Sequence, residues 1–77
     1  MTVEDLSWIN PSYELRVTSY NDLKIKIRYR HPAVPCKLET SNSKLVVVFE
    51  EPQRAITPGQ SAVFYLNDEV IGGGIIQ

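Results

Sequence analysis

Glu51–Ile76, EPQRAITPGQSAVFYLNDEVIGGGII, holds the chain's glycines and reads as turn, strand, hairpin and strand. Thr57-Pro58-Gly59-Gln60 places Pro and Gly at the centre of a four-residue turn. Proline presets φ near −65° and glycine accepts the positive φ that follows, which predicts a type II turn. Ser61–Leu66 is a strand of β-branched and aromatic residues, Asn67-Asp68 a tight reversal, and Glu69–Ile71 the return strand. Gly72-Gly73-Gly74 then marks a bend or a close approach of backbones. It is not a phosphate loop, because no Lys-Ser/Thr and no helix follow it.

Working outward, Lys44–Glu50 is a strand whose Val46, Val47 and Val48 offer apolar groups to both faces, which predicts a central or doubly covered position. Val34–Glu39 is a shorter strand, with Pro35 assigning its first half to a sheet edge. Thr40-Ser41-Asn42-Ser43 joins the two as a polar turn. Leu23–Arg30, LKIKIRYR, has the cleanest period of two, with Leu23, Ile25, Ile27 and Tyr29 opposite Lys24, Lys26, Arg28 and Arg30. Tyr13–Ser19, YELRVTS, also alternates and reads as a strand. Residues 1–12, with Trp8 and Ile9 as an apolar plug, read as a lead-in, leaving 13–77 as the domain. About six short strands at roughly ten-residue spacing, and no convincing helix, predict an all-β fold. We expect a small closed six-stranded antiparallel β-barrel, since closure removes exposed edges.

Seventy-seven residues make one domain at most, near the size where folding buries only about 60% of the chain's surface. Net charge is −1 with 22% charged residues, so a nucleic-acid signal must come from local clustering. A single cysteine, Cys36, rules out an internal disulfide, and one Cys with one His is too few for a tetrahedral metal site. The longest apolar run, Leu45–Phe49, is far short of the roughly 20 residues of a membrane helix. The start, MTVEDLSWIN, lacks the basic and apolar regions of a signal peptide, so a cytoplasmic protein without a membrane partner is expected.

The basic face of Lys24, Lys26, Arg28 and Arg30 is the sharpest chemical feature. Cations at period two recur about every 6.6–6.8 Å, a spacing comparable to the phosphate repeat of a nucleic acid strand. The bland reading is that a half-buried strand needs a solvated side, with Asp22 and Glu39 neutralising it. Tyr29 faces the other way in a flat strand and becomes a base-stacking surface only at a strand end or bulge. Cys36 with His31 invites a nucleophile-and-base pair, but no third group orients it, and a lone Cys is more often a small buried hydrophobe. Glu50-Glu51 has no partner carboxylate at a hydrolase spacing. Gln60 and Arg54 sit on a loop, where contacts concentrate.

Arg28-Tyr29-Arg30, Phe49-Glu50-Glu51-Pro52, Ala55–Tyr65 (AITPGQSAVFY) and Gly72–Ile76 (GGGII), in that order, resemble the C-terminal domain of bacterial-type tRNA-specific 2-thiouridylases. A turn-PGQ-strand also occurs in translation-factor β-barrels, a looser likeness. The resemblance implies a three-domain parent that uses ATP to adenylate the wobble uridine of tRNA, then delivers sulfur from a cysteine persulfide supplied by a sulfur-relay donor. The nucleotide-binding loop and both cysteine motifs of that chemistry are absent, so the resemblance implies no catalytic residue and no cofactor in this piece. It does imply tRNA contact, at the anticodon arm, by Arg28, Tyr29 and Gln60, with Lys24, Lys26 and Arg30 as electrostatic support. The alternative is a structural module that packs on its sister domains without touching RNA, with Trp8 and Ile75-Ile76 forming the seam.

Overall fold

The computed structural model describes residues 1–27, 31–41, 44–54 and 56–77, without the side chains of Leu15 and Ser41. Its elements are β1 (Thr2–Trp8), α1 (Ser12–Arg16) continued by a 3₁₀ turn (Val17–Ser19), β2 (Leu23–Lys26), β3 (Val34–Ser41), β4 (Lys44–Phe49), β5 (Ser61–Leu66) and β6 (Glu69–Ile76). Every pairing is antiparallel, and the order β1-β4-β3-β2-β5-β6 closes through β6 onto β1. The closed six-stranded barrel is therefore as expected, but its membership differs in one strand.

The displaced expectation is Tyr13–Ser19, which is helical instead of extended. Tyr13 and Val17 are four apart, a spacing that satisfies both a period of two and the 3.6-residue turn. Local chemistry decides between them. Pro11 at φ −55° is preset for a helix start, and the Asn10 Oδ1 accepts the Ser12 N–H at 3.0 Å while its carbonyl accepts the Tyr13 N–H at 3.0 Å. The short helix lays Val17, 2% exposed, into the core, and Tyr13 packs at its border.

The sixth strand comes from the stretch read as a lead-in. Thr2–Trp8 is hydrogen-bonded on both sides, to β4 and to β6, so a domain beginning at residue 13 is corrected: the barrel starts at residue 2. Its alternation is hidden by a bulge. Between Glu4↔Ile75 and Ser7↔Gly73, β1 advances three residues while β6 advances two, with Asp5 at φ 53°. The extra residue resets the phase, so Val3 and Trp8 both face inward although they are an odd number apart.

Trp8 stacks on Phe64, centroids 5.6 Å apart and planes 19° from parallel, and Phe64 is wholly buried. A Cβ on Gly72 would run into the Trp8 ring and stand 2.7 Å from the Ser7 carbonyl oxygen, so the close approach expected of the glycine run is real at this position. Beside it the β5–β6 register shifts from Phe64↔Gly72 to Tyr65↔Val70, leaving Ile71 as a bulged residue that points into the core. Of the residues expected at an interdomain seam, Ile76 is thus in the barrel interior and Trp8 packs at its border, while Ile75 is partly buried outside the core cluster.

The remaining strands keep their expected places with shifted bounds: β2 ends at Lys26, β3 runs on to Ser41, and β6 continues through the glycines to Ile76. Gly59 has φ 90°, and the Gln60 N–H donates to the Thr57 carbonyl at 3.3 Å, as a type II turn requires. Asn67 and Asp68, at φ 51° and 66°, form a type I′ reversal, whose twist matches that of the flanking strands. Lys44–Phe49 alternates Leu45 and Val47 inward, but Val48 is 43% exposed, so the valine run is covered on one side only. Pro35 is not at an edge. It sits one residue into β3, where the β2–β3 ladder has only the rungs Lys24↔Pro35 and Ile25↔Val34, and its missing N–H costs little there. The expected turn at residues 40–43 is shorter, since Thr40 and Ser41 belong to β3, and residues 42–43 lie outside the described part.

Candidate nucleic-acid interface

Leu23 and Ile25 fill the interior, at 1% and 0% exposed, so the period of two puts Lys24 and Lys26 on the outer wall of β2. Neither lysine has a carboxylate within 4.0 Å among the described residues; the ion pair found there is Lys44–Glu4 at 3.9 Å, on another wall. Burial of the inner face and solvation of the outer one account for this arrangement without any ligand. What the tertiary structure adds is the neighbourhood.

Strand β5 lies alongside β2 with Lys24↔Tyr65 and Lys26↔Val63. Phe64 points inward, so Tyr65 points outward, next to Lys24. An open groove of about 350 Å³ runs over this wall, lined by Lys24, Lys26, His31, Pro32, Ala33, Tyr65 and Asp68. A second, of about 390 Å³, lies on the other side of Lys24 and Tyr65 and has a different character, with Asp22, Glu50 and Asp68 among its walls. Lys24, Tyr65 and Asp68 border both grooves; Lys26 and His31 line only the first, Asp22 and Glu50 only the second. Asp22 lines the second groove together with Lys24, whereas Glu39, opposite Val46 in the β3–β4 ladder, lines neither groove.

Gln60 enters through the same register. β2 and β5 are antiparallel, so the C-terminal end of β2 and the N-terminal end of β5 share one end of the barrel. Gln60 precedes Val63, Lys26's partner, by three residues, about 10 Å of strand. Its backbone is clamped: the Gly59 N–H donates to the Ile76 carbonyl at 2.7 Å, and the Ile76 N–H donates to the Gln60 carbonyl at 2.9 Å. Its side chain is exposed. A fixed backbone with a free amide is a preorganised hydrogen-bonding group. Of the expected contact residues, Lys24 and Lys26 thus lie on β2 and Gln60 in the turn that leads into the adjacent β5, while Arg28, Tyr29 and Arg30 fall outside the described residues.

Cys36 faces the core at 1% exposed, and burial, reinforced by the Glu50 carboxylate, pushes its thiol up to about 12. A thiol so hard to ionise is no nucleophile near neutral pH. His31 is exposed, so the pairing weighed for these two is not formed, and Cys36 is a small hydrophobe of the core. No helix of the described residues is long and apolar enough to cross a membrane.

Two residues of this wall, Tyr65 and His31, were not among the expected contacts. Alternation from Phe64 puts Tyr65 on the outside, but that it flanks Lys24 depends on β2 pairing with β5, two strands far apart in the chain.

Comparison with known proteins places this wall in context. Residues 1–76 match the family model of the aminomethyltransferase beta-barrel domain. The chain is 50% identical over 74 residues to a tRNA-specific 2-thiouridylase MnmA of Trichlorobacter lovleyi, covering 95% of the chain and 20% of that relative. It is 51% identical over 76 residues to the MnmA of Francisella philomiragia, covering 94% of the chain and 20% of that protein. Against the MnmA of Pseudomonas putida it is 40% identical over its whole length. The chain spans about a fifth of the length of these relatives. With a closed barrel, the TPGQ turn and the glycine-relieved β1–β6 seam all in place, the chain belongs to the aminomethyltransferase beta-barrel domain family, as the C-terminal β-barrel domain of the tRNA-specific 2-thiouridylases.

Proposed function

We propose that this barrel positions tRNA for a parent enzyme that carries out ATP-dependent 2-thiolation of the wobble uridine, and performs no bond-making itself. Lys24, Lys26, Arg28 and Arg30 neutralise phosphates of the anticodon arm, and Tyr29 and Gln60 make directed contacts. ATP, the sulfur-relay donor and the catalytic cysteines are met by the sister domains, in the cytoplasm. The observation that carries this reading is the β2–β5 register, which brings the end of the lysine strand and the clamped Gln60 to one end of the barrel. The likeness to tRNA-specific 2-thiouridylases supports the substrate class.

Few phosphate contacts mean weak, salt-dependent binding, with log K falling by roughly 0.7–0.9 per contact for each tenfold rise in salt. Titration of an anticodon stem-loop at low and moderate salt should therefore show a shallow negative slope. Arg28→Glu should weaken binding and Glu51→Lys should not; equal losses from both would remove the basis of the proposal.

A second reading is favoured by a different observation. Ile9 is 72% exposed and donates its N–H to the Ile71 carbonyl, next to Val70, itself 47% exposed. These apolar groups suit packing against a sister domain. Chemical-shift mapping with the stem-loop separates the two: perturbation at Lys24, Lys26 and Gln60 supports RNA contact, and silence there leaves the packing module.

A further inference from the structure

We propose that Tyr65 is a stacking platform for one unpaired nucleotide of the bound RNA, whose flanking phosphates lie on Lys24 and Lys26. This rests on the RNA-contact reading above and adds a residue and a direction to it.

Tyr65 stands on the outer wall directly opposite Lys24 in the β2–β5 ladder, half-buried, and borders both grooves. On one side are Lys26 and His31, with Lys24, like Tyr65, shared between the grooves, and neither lysine has a carboxylate within 4.0 Å among the described residues. On the other are Asp22 and Glu50, with Asp68 at the boundary. Across the β5–β6 rung Tyr65 faces Val70, which extends the ring with an apolar shelf. The two lysines are two residues apart on one strand face, about 6.6–6.8 Å, so successive phosphates of an extended strand reach both. A base between them meets a phenol ring, and any base stacks because every base has a π-face. The carboxylates beyond the ring repel a further phosphate. The backbone therefore leaves Tyr65 toward Lys26 and the Gln60 end, and the acidic groove bounds the footprint. A tyrosine that merely covered the Lys24 stem would account for its half-burial, but would give RNA no reason to lose affinity when the ring is replaced by an aliphatic group of similar bulk.

The test is titration of this chain with a fluorescein-labelled stem-loop RNA carrying an unpaired loop, at two salt concentrations, for wild type, Tyr65→Phe, Tyr65→Leu and Lys26→Gln. Each variant is first checked for an unchanged unfolding midpoint. Tyr65→Leu should lose about tenfold in affinity with the salt slope intact, because it removes stacking and no charge. Tyr65→Phe should bind as wild type, and Lys26→Gln should flatten the slope by about one phosphate contact. Wild-type binding with full affinity in Tyr65→Leu overturns this proposal alone; a wild type that does not bind the stem-loop overturns the RNA reading with it.

Discussion

Gly72→Ala probes the joint on which the barrel closes. The added Cβ would collide with the Trp8 ring and approach the Ser7 carbonyl oxygen to 2.7 Å. The ring is held by its stack on Phe64 and the carbonyl belongs to a paired strand, so neither yields freely. Forcing a methyl group into a filled interior costs about 1–3 kcal/mol. Gly72 does not have a positive φ, so alanine gains back about 0.4–1 kcal/mol through the unfolded chain. The net is a loss of about 1–2 kcal/mol, which for a domain of this size lowers Tm by roughly 4–16 °C. Urea denaturation followed by Trp8 fluorescence and by far-UV circular dichroism measures it. Trp8→Leu in the Gly72→Ala background should recover part of the loss, giving a coupling of about 1 kcal/mol in a double-mutant cycle. Unchanged or raised stability in Gly72→Ala would refute the packing argument, and strict additivity would refute the assignment to Trp8.

Gly59 offers the contrasting case: nothing lies within 4 Å of its missing Cβ, but its φ is 90°, so Gly59→Ala should cost about 1–2 kcal/mol in urea melts through backbone strain alone, and Gly59→Asn less. Cys36 should resist thiol reagents in the folded state and react on denaturation. Because its folded pKa is raised to about 12 from an ordinary value near 9, its contribution to stability is fully present below pH 9 and falls as pH rises from there, through the unfolded and then the folded pKa. Cys36→Ala should therefore flatten the alkaline limb of stability against pH, and an identical limb in both proteins would count against thiol burial. Val17→Ala, removing two methyl groups buried in the core, should cost about 1–2.5 kcal/mol by thermal melting, whereas Thr18→Ala on the exposed side should change little.

The sequence by itself determined the elements whose chemistry is local. Thr57-Pro58-Gly59-Gln60 calls for a positive φ at Gly59 and obtains it, Asn67-Asp68 reverses the chain where its composition implies, and β5 has the bounds its β-branched and aromatic run implies. Lys24 and Lys26 face outward because Leu23 and Ile25 are drawn inward by the same period. Only the tertiary structure decided the rest. Tyr13 and Val17 fit a strand or a helix equally by spacing, and the choice fell to Asn10 and Pro11 and to the core in which Val17 is buried. The strand Thr2–Trp8 conceals its alternation behind a bulge that has meaning only against β6. Likewise, Lys24 has Tyr65 beside it and Gln60 at the same end because β2 pairs with β5 across some forty residues of chain. Periodicity records which way a side chain faces; which strand lies next to it is settled by closure of the sheet, a property of all six strands together.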